Sequence, residues 1–291
     1  MSTRKRRFGD RHDGRLLRTL EPYAVMGAFI MKKSNEANNA YIDAIEISEL
    51  EKYIRQKRAE GLTGFGMLHI FLASYVRLAS QMPRLCRFVA GQRIYSPWHL
   101  DVTMIVKQNL SSTGIESSIK VRLERTDTIY DVYRKIDEAV QAVKNQQEGG
   151  ADVAAKILTK TPRLLVAFAM GLLKLLDYFG LMPKALVDIS PFHATLFVSD
   201  LGSVGIKPVV HHLYNFGHIP VFLSFGIKRR AYELQADGTV AERKYVDYTV
   251  VVDDRIADGF YLAQCLKLLR SYMLHPHQLE KPPEKVVEDL D

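Results

Sequence analysis

The order of apolar and polar positions along this 291-residue chain predicts a mixture of strands and helices. Apolar runs that are uncharged or loosely alternating are typical of strands. The predicted strands are 23–31, 40–47, 101–107, 115–123, 194–199, 220–226, 229–235 and 245–252. A polar turn at residues 111–114 joins the third strand to the fourth, and Asp237-Gly238 is a turn dipeptide that predicts a hairpin between the last two.

Other segments repeat their apolar residues at helical spacing. The predicted helices are 48–60, 65–81, 128–144 and 258–274, and a further helical region follows the polar break at 145–152 and extends to about residue 187. Ser48 and Glu51 form a capping-box pattern at the start of the first helix. Strands and helices are mixed irregularly, without an internal repeat or a linker between domains, so the pattern predicts an α+β sandwich.

Residues 164–182 are strongly apolar and are interrupted only by Lys174 and Asp177. The segment has nearly the length of a membrane span, but two charges near the middle of a span cost roughly 5–7 kcal/mol on insertion. Three interpretations stay open: a span, a helix buried in the core or between subunits, and a helix that makes peripheral contact with a membrane surface.

The two ends of the chain are rich in charge. Part of the net charge of +7 comes from basic residues near the N-terminus, namely Arg4, Lys5, Arg6, Arg7, Arg11, Arg15 and Arg18. We interpret residues 1–20 as a solvated, partly disordered basic arm; attraction to RNA or a membrane is the weaker alternative, and we expect no nucleic-acid partner. The Pro-rich charged segment 276–291 is predicted to be a peripheral tail, which leaves residues 21–275 as one core domain.

Cysteine usage and the N-terminal sequence indicate the compartment. Cys86 and Cys265 lie in apolar, helix-like contexts, which predicts two buried thiols in a reducing environment. No cysteine pair, and no grouping of Asp253, Asp254 and Asp258, has the spacing of a metal site, so we expect no metal. No apolar segment of signal-peptide type follows the basic arm, and we expect a cytoplasmic protein.

Three patches of sequence carry a resemblance to a known family. Residues 195–202 form a strand that ends in Ser199-Asp200-Leu201-Gly202, residues 215–229 contain a strand that ends in Gly226, and the β-branched run 250–252 is followed by a charged loop with Asp258-Gly259. The chain resembles the CoA-dependent acyltransferases built like chloramphenicol acetyltransferase, which include the dihydrolipoamide acyltransferase cores of 2-oxoacid dehydrogenase complexes. The resemblance covers nearly the whole chain, but we expect only the core module, without a lipoyl group.

The resemblance implies a fold, an assembly and roles for residues. It implies a two-layer sandwich of a mixed β-sheet and helices, a homotrimer or a multiple of three chains, and an active site between neighbouring subunits that takes CoA or acyl-CoA as substrate. Ser199 would stabilise the oxyanion of the tetrahedral intermediate. Asp258 and Gly259 would fix the signature loop, with Arg18 as a candidate partner of Asp258.

The sequence departs from the family at the general base. The family signature is His-x-x-x-Asp-Gly, and here Asp254 occupies the position of the His. A carboxylic acid has a reference pKa near ~3.9 and a thiol near ~8.5, so proton transfer from a thiol to a carboxylate is uphill by roughly 6 kcal/mol, against roughly 2.7 kcal/mol for an imidazole. Asp254 would be an effective base only if burial raised its pKa by several units; otherwise it is a structural or solvent-facing carboxylate.

Three histidines and two lysines are further candidates for the site. His211 and His212, in a helix end or loop, and His193, six residues before Ser199 and roughly 20 Å away along an extended strand, are alternative bases. Lys207 and Lys228 are candidates for binding CoA, although solvated lysines are the simpler interpretation. Two hypotheses follow: an acyltransferase with an altered base and an unknown acceptor, or a non-catalytic trimeric scaffold that keeps the fold and binds an acyl-CoA without turnover.

Overall fold

A computed structural model describes residues 5–107, 116–145 and 149–291. The strands are β1 (Gly14–Leu16), β2 (Asn38–Glu46), β3 (Phe88–Ala90), β4 (Arg93–Pro97), β5 (Leu100–Lys107), β6 (Glu116–Leu123), β7 (Leu196–Asp200), β8 (Val221–Leu234) and β9 (Val240–Asp253). The helices are α1 (Pro22–Ile30), α2 (Ser48–Ala59), α3 (Met67–Gln81), α4 (Ile129–Lys144), α5 (Gly150–Thr159), α6 (Arg163–Tyr178), α7 (Lys184–Ile189) and α8 (Gly259–Leu274).

Six of these strands form one mixed sheet. Its order is β2-β9-β8-β7-β5-β6, and a separate small sheet has the order β1-β4-β3. Strand β7 pairs in parallel with both β5 and β8, and the other pairs of the large sheet are antiparallel. The predicted α+β architecture of a mixed sheet with helices is therefore confirmed.

The two faces of the large sheet have different coverings. Side chains of one face, such as Val198, Leu223 and Val250, belong to the main apolar core, together with buried residues of helices α2, α3, α4 and α8. The opposite face carries a smaller cluster that includes Phe197 and Phe222. Because side chains alternate along a strand, residues two apart from Phe197 and Phe222 lie on that second face as well.

Several predicted elements are confirmed. The hairpin at Asp237-Gly238 joins β8 to β9, and the amphipathic helix predicted at 128–144 is α4. Cys86 and Cys265 are buried free thiols, as expected. The polar turn at 111–114 lies outside the described residues.

Other predictions are wrong in instructive ways. The pattern predicts a strand at 23–31, but residues 23–30 lie in α1, whose first residue, Pro22, has a φ suited to a helix start. An apolar run this short does not distinguish a strand from a helix. The capping box predicted at Ser48 and Glu51 does not form. The N-cap residue of α2 is Ile47, and the side chain of Glu51 forms ion pairs with Lys228 and Lys244. The two strands expected at 220–226 and 229–235 are one strand, β8, with an irregularity between Phe225 and Lys228.

The N-terminal segment packs on the protein, which contradicts a solvated arm. Leu17 is buried, its backbone N–H donates to Ile94 O at 3.0 Å, and β1 pairs with β4. The guanidinium of Arg11 is only 3% exposed and binds the side chains of Asp13 and Asp177. A buried cation needs such partners, so residues 11–17 are part of the folded unit.

The C-terminal segment is also packed rather than peripheral. Leu279 is buried, and the backbone N–H of Val287 donates to Ser80 O at 2.8 Å. Asp289 accepts two hydrogen bonds from the Arg87 guanidinium. The side chain of Arg87 is 4% exposed and that of Asp289 is 3% exposed. Burial alone would raise the pKa of the Asp289 carboxyl, but the bonds from Arg87 outweigh it and lower that pKa.

Helix α6, which covers most of the apolar segment 164–182, is not buried in the core of the chain; a contact with another subunit or with a membrane surface stays open. Asp177 is its one buried residue. No helix within the described part of the chain has both the length and the apolar character needed to cross a membrane.

Removing the Asp289 charge tests whether the tail stabilises the fold. We expect Asp289→Asn to lower the free energy of unfolding by roughly 3–5 kcal/mol, because it leaves the buried Arg87 without its counter-charge. Glu288→Gln, at an exposed neighbouring position, is the matched control and should change it by less than about 0.5 kcal/mol. Urea denaturation measures both; equal effects would show that the pair does not anchor the tail.

A buried histidine makes stability depend on pH. His69 Nδ1 accepts a hydrogen bond from Gly66 N at 3.1 Å at the start of α3, and its ring stacks on Phe65. Burial lowers the pKa of His69 to about 4, below its ordinary value of 6.5. The unfolded chain therefore takes up this proton first as the pH falls, and stability is lost between about pH 6.5 and pH 4.

We expect His69→Asn, which keeps an acceptor near Gly66, to flatten this part of the pH profile by roughly 3 kcal/mol. Burial also lowers the pKa of His193, so part of the acid dependence should survive the substitution. His275→Asn, at an exposed position, is the control. Denaturation midpoints from pH 4 to pH 8 give the measurement, and an unchanged slope in His69→Asn would contradict the assignment.

Candidate active site

Ser199 lies in a row of side chains that crosses the second face of the sheet. It pairs with Ser224 of β8, Ser224 pairs with Thr249 of β9, and Thr249 pairs with Ile42 of β2. On its other side, the register of β5 with β7 places Ile105 beside Ser199. Ser199 is partly exposed, and within the described residues its hydroxyl makes no hydrogen bond. The predicted oxyanion donor therefore ends β7 with an available hydroxyl.

The loop that connects β7 to β8 covers part of this row. The hydroxyl of Ser224 accepts from Val209 N at 3.3 Å, and the hydroxyl of Thr249 donates to Val209 O at 2.7 Å. A Cβ at Gly226 would lie 2.5 Å from Pro208 Cδ, so only glycine permits this approach. Two buried hydroxyls and one glycine thus fix the path of residues 208–209 beside Ser199.

His211 follows two residues later and lies on the same face. Its ring stacks on Phe222, with 4.2 Å between ring centroids and 7° between planes. Its Nδ1 lies 2.6 Å from the carbonyl oxygen of His212. Because a carbonyl oxygen only accepts, Nδ1 carries the proton in this contact, and in the neutral ring the lone pair is on Nε2.

The sheet register relates His211 to Ser199. Phe222, beneath the His211 ring, is two residues along β8 from Ser224, which is one strand away from Ser199. Strand geometry puts the backbones of Phe222 and Ser199 roughly 8 Å apart. Nε2 of His211 has no hydrogen-bond partner among the described residues. His212, the other predicted candidate, is exposed and stacks on His211 at 4.5 Å.

The signature loop begins with a buried ion pair. Arg255 Nε donates to Asp253 Oδ1 at 2.7 Å, and both side chains are 3% exposed. The same guanidinium donates to Met31 O at 3.0 Å and to Ser34 Oγ at 3.1 Å. The pair therefore anchors the loop to the segment after α1. Arg255 binds Asp253 rather than Asp254, so the two adjacent carboxylates have different surroundings.

Asp254 is exposed, and its Oδ1 accepts from Asn39 Nδ2 at 3.1 Å. It also lies far from Ser199 within one chain. Asp253 N donates to Pro220 O, so the end of β9 lies beside Pro220, the residue before β8. Pro220 is four residues before Ser224, the strand neighbour of Ser199. The distance between Asp254 and Ser199 combines these four residues along the strand with two strand-to-strand spacings, and it is roughly 16 Å. A single chain therefore does not bring these two predicted residues together.

Asp258 caps α8, since its Oδ1 accepts from Tyr261 N at 2.8 Å. Its nearest cation is Arg84, with 3.8 Å between Nη1 and Oδ2. The suggested partner Arg18 is wrong, because Arg18 binds Asp10 at 3.0 Å. A Cβ at Gly259 would meet open space, so no contact in the single chain requires this glycine. The loop lines a cleft of about 350 Å³ with Tyr23 and Arg84.

His193 lies in a buried polar network, away from Ser199. Its Nδ1 is 2.7 Å from Ser190 Oγ, and its Nε2 is 3.3 Å from Asp177 Oδ1, a distance suited to an ion pair. The ring of His218 lies 5.0 Å away and contacts Asp13 at 2.8 Å through Nε2. Arg11 joins the two halves, because it binds both carboxylates.

The electrostatics of this network favour ionised carboxylates. Burial alone would raise the pKa of Asp13, but its contacts with His218 and Arg11 outweigh burial and hold that pKa far below its usual range. Contacts with His193 and Arg11 lower the pKa of Asp177 in the same way. Burial lowers the pKa of His193 despite its contact with Asp177. This network holds the N-terminal segment to the end of α6 and to residue 218.

Sequence reasoning missed most of this network. Arg11 was assigned to a solvated arm, Asp177 to a charge interrupting an apolar helix, and Asp13 and His218 were not singled out. Their separations in sequence are large, for example 166 positions between Arg11 and Asp177. The available signal was a charge inside an apolar segment, since a charge retained there needs a partner of opposite sign.

The two lysines considered for CoA have different surroundings. Lys228 Nζ lies 2.6 Å from Glu51 Oε1 in an ion pair. Lys207 is exposed in the loop beside Gly226, and its Cα would lie 2.8 Å from a Cβ at that glycine. Of the two, Lys207 is closer to Ser199 along the sheet, because it belongs to the loop that covers Ser224.

Comparison with known proteins supports the fold. Neither family models nor curated proteins match the sequence. Among solved structures, the chain is similar to a probable dihydrolipoamide acetyltransferase from Listeria monocytogenes, with 14% identity, coverage of 89% of this chain and 94% of that chain, and a TM-score of 0.58. It is also similar to the cubic core of the pyruvate dehydrogenase multienzyme complex, with 14% identity, coverage of 87% and 89%, and a TM-score of 0.58.

A third similar structure is a chloramphenicol acetyltransferase, with 10% identity, coverage of 89% of this chain and 99% of that chain, and a TM-score of 0.56. Identities this low establish the fold and leave the chemistry to be argued from the residues. The chain has the fold of the CoA-dependent acyltransferases represented by chloramphenicol acetyltransferase and the dihydrolipoamide acetyltransferase cores.

Proposed function

We propose that the protein transfers an acyl group from CoA to a thiol or hydroxyl acceptor on the sheet face that carries Ser199 and His211. The observation that supports this most strongly is the hydrogen bond from His211 Nδ1 to the carbonyl of His212 at 2.6 Å. It orients the ring and leaves Nε2 as a base. An imidazole on this face takes the role that the signature loop lost when Asp254 replaced its His.

The proposed reaction assigns one step to each residue. Nε2 of His211 removes the proton from the acceptor as the acceptor oxygen or sulfur attacks the thioester carbonyl. The carbonyl oxygen becomes an oxyanion, and the hydroxyl of Ser199 donates a hydrogen bond to it. Collapse of the intermediate breaks the bond from carbon to sulfur, and the CoA thiolate recovers the proton from the His211 imidazolium.

The site is expected to be completed by a neighbouring subunit. Exposed apolar side chains surround Ser199, including Ile105 at 48%, Val209 at 44% and Val210 at 53% exposure. Apolar patches of this kind are typical of surfaces that another protein covers. We propose a homotrimer in which the signature loop of one subunit, beginning at Asp254, approaches the Ser199 face of the next. Lys207 is our candidate for contacting CoA phosphates.

A non-catalytic acyl-CoA-binding scaffold is the second candidate. It is favoured by one observation: the residue at the signature position, Asp254, is an exposed carboxylate bonded to Asn39. A carboxylate in contact with water is a weak acceptor for a thiol proton. Under this candidate the fold binds CoA but does not transfer its acyl group.

Kinetic comparison of variants separates the two candidates. With acetyl-CoA and short-chain acyl-CoAs, and thiol and hydroxyl acceptors, we expect turnover that falls roughly 10²–10⁴-fold in His211→Ala and roughly 10²–10³-fold in Ser199→Ala. Asp254→Ala should retain most activity. His212→Asn, which keeps the backbone acceptor of His211, is the matched control.

The outcomes are distinguishable by measuring CoA affinity in parallel. If turnover is lost in Asp254→Ala but retained in His211→Ala, Asp254 is the general base and our assignment of His211 is wrong. Measurable CoA binding with no turnover in the wild type would support the scaffold.

The assembly is tested separately. We expect light scattering to give a native mass that is a multiple of three chains, and Ile105→Asp or Val210→Asp to dissociate it, because each buries a charge in an apolar contact. Leu234→Asp, at the tip of the β8–β9 hairpin where this side chain is 77% exposed, is the control. A monomeric wild type would contradict the shared site.

A further inference from the structure

Helix α6 presents to solvent an apolar face that no described part of the chain covers. Its exposed side chains lie between 45% and 83% accessible and are Leu164, Leu165, Phe168, Leu172, Leu175 and Phe179, the last just after the helix. On the preceding helix, Val153 and Ile157 are 44% and 62% exposed. Exposed apolar side chains in such numbers mark a site of interaction with a protein or a membrane.

Helix α6 carries apolar residues on both its inner and its outer side, unlike an ordinary amphipathic helix. Leu165, Phe168, Leu172, Leu175 and Phe179 are spaced by three or four residues, so they share one face. They point outward. The charged residue Asp177 points inward to Arg11 and His193. Asp177 and the half-buried apolar residues Val166, Met170 and Leu173 face the protein, and the second apolar face of α6 is left free.

The charges around this face have one sign. From residue 153 to residue 176 the chain has four basic residues and no acidic residue. Among them, Lys160, Arg163 and Lys174 are exposed. Lys174 also lines a pocket of about 220 Å³ with Lys32 and Lys33, which follow α1. Cations thus border the apolar side chains at both ends of α6.

We propose that this face, defined by α6 and its bordering cations, docks on the surface of a bilayer that contains anionic phospholipids. Phe168, Leu172 and Leu175 would enter the region between headgroups and acyl chains, and the basic residues would contact lipid phosphates. A 16-residue helix spans about 24 Å, short of a hydrocarbon core of about 30 Å, so α6 lies in the surface rather than crossing it.

The charge pattern favours this partner over a twofold contact between the α6 faces of two copies of the chain. A twofold contact between two α6 faces would place the same cations near one another, without a described acidic side chain on that face to pair with them. Anionic headgroups complement both the apolar and the basic parts of the surface.

Vesicle co-sedimentation tests the proposal on the whole protein. We expect binding to vesicles of 70% phosphatidylcholine and 30% phosphatidylglycerol, little binding to pure phosphatidylcholine, and weakening in 0.5 M salt. The triple variant Lys160→Glu, Arg163→Glu and Lys174→Glu should lower the partition coefficient roughly 100-fold. Lys267→Glu, Lys281→Glu and Lys285→Glu, which reverses three exposed charges elsewhere, is the matched control.

The apolar contribution has its own control. Phe168→Ser with Leu172→Ser should lower binding at least tenfold. Tyr232→Ser with Leu234→Ser, at hairpin positions that are 70% and 77% exposed, should not change it. Circular dichroism checks that each variant is folded. Absence of wild-type binding to anionic vesicles would overturn the proposal. The proposal would also be overturned if the wild type did not bind vesicles and if Phe168→Ser with Leu172→Ser dissociated an oligomer. A second copy of the chain would then cover the face.

Discussion

The parallel pairing of β7 with β8 is the constraint on which the proposed site depends. It places Ser199 beside Ser224, and Ser224 in turn holds Val209 of the loop that returns to β8. His211 follows Val209 and stacks on Phe222 of the same strand. A shift of this register by one residue would turn Ser199 toward the helices and separate it from His211. The sheet, rather than the signature loop, is therefore what brings a hydroxyl and an imidazole to one face.

The loop from Asp254 to Gly259 is held in place by contacts that do not involve the side chain of Asp254. Asp258 still caps α8, and the buried pair of Asp253 with Arg255 ties the loop to Met31 and Ser34. Removing either partner of such a pair would leave a buried charge uncompensated, which explains why the loop needs both. Asp254 is outside this framework and faces solvent. The loop is thus intact without an imidazole at residue 254, and the proposed base lies elsewhere on the fold.

Local signals in the sequence predicted much of the fold. The Asp-Gly turn of the β8–β9 hairpin, the amphipathic helix that begins near Thr128 and the strand that ends at Ser199 all depend on residues close together in the chain. The start of α1 was missed, because a short apolar run fits a strand as well as a helix until Pro22 is weighed. The packing of the two chain ends was missed for a different reason: Arg11 and Asp289 are charged, and charge predicts exposure unless the partner is known.

The candidate site was predictable only in its parts. Sequence identified Ser199 and named His211, but their relation depends on the path of a loop fixed by Gly226 and by two buried hydroxyls on neighbouring strands. The network of Arg11, Asp13, Asp177, His193 and His218 joins residues up to 205 positions apart. Contacts of that range follow from topology, which periodicity and motif spacing do not specify.

A crystal structure of the protein with bound CoA tests the central claim most directly. The account predicts the CoA sulfur between the hydroxyl of Ser199 and Nε2 of His211, within about 4 Å of each, as a reacting atom requires. A CoA molecule whose sulfur lies at Asp254, with both of these side chains out of reach in the same and in neighbouring subunits, would contradict it.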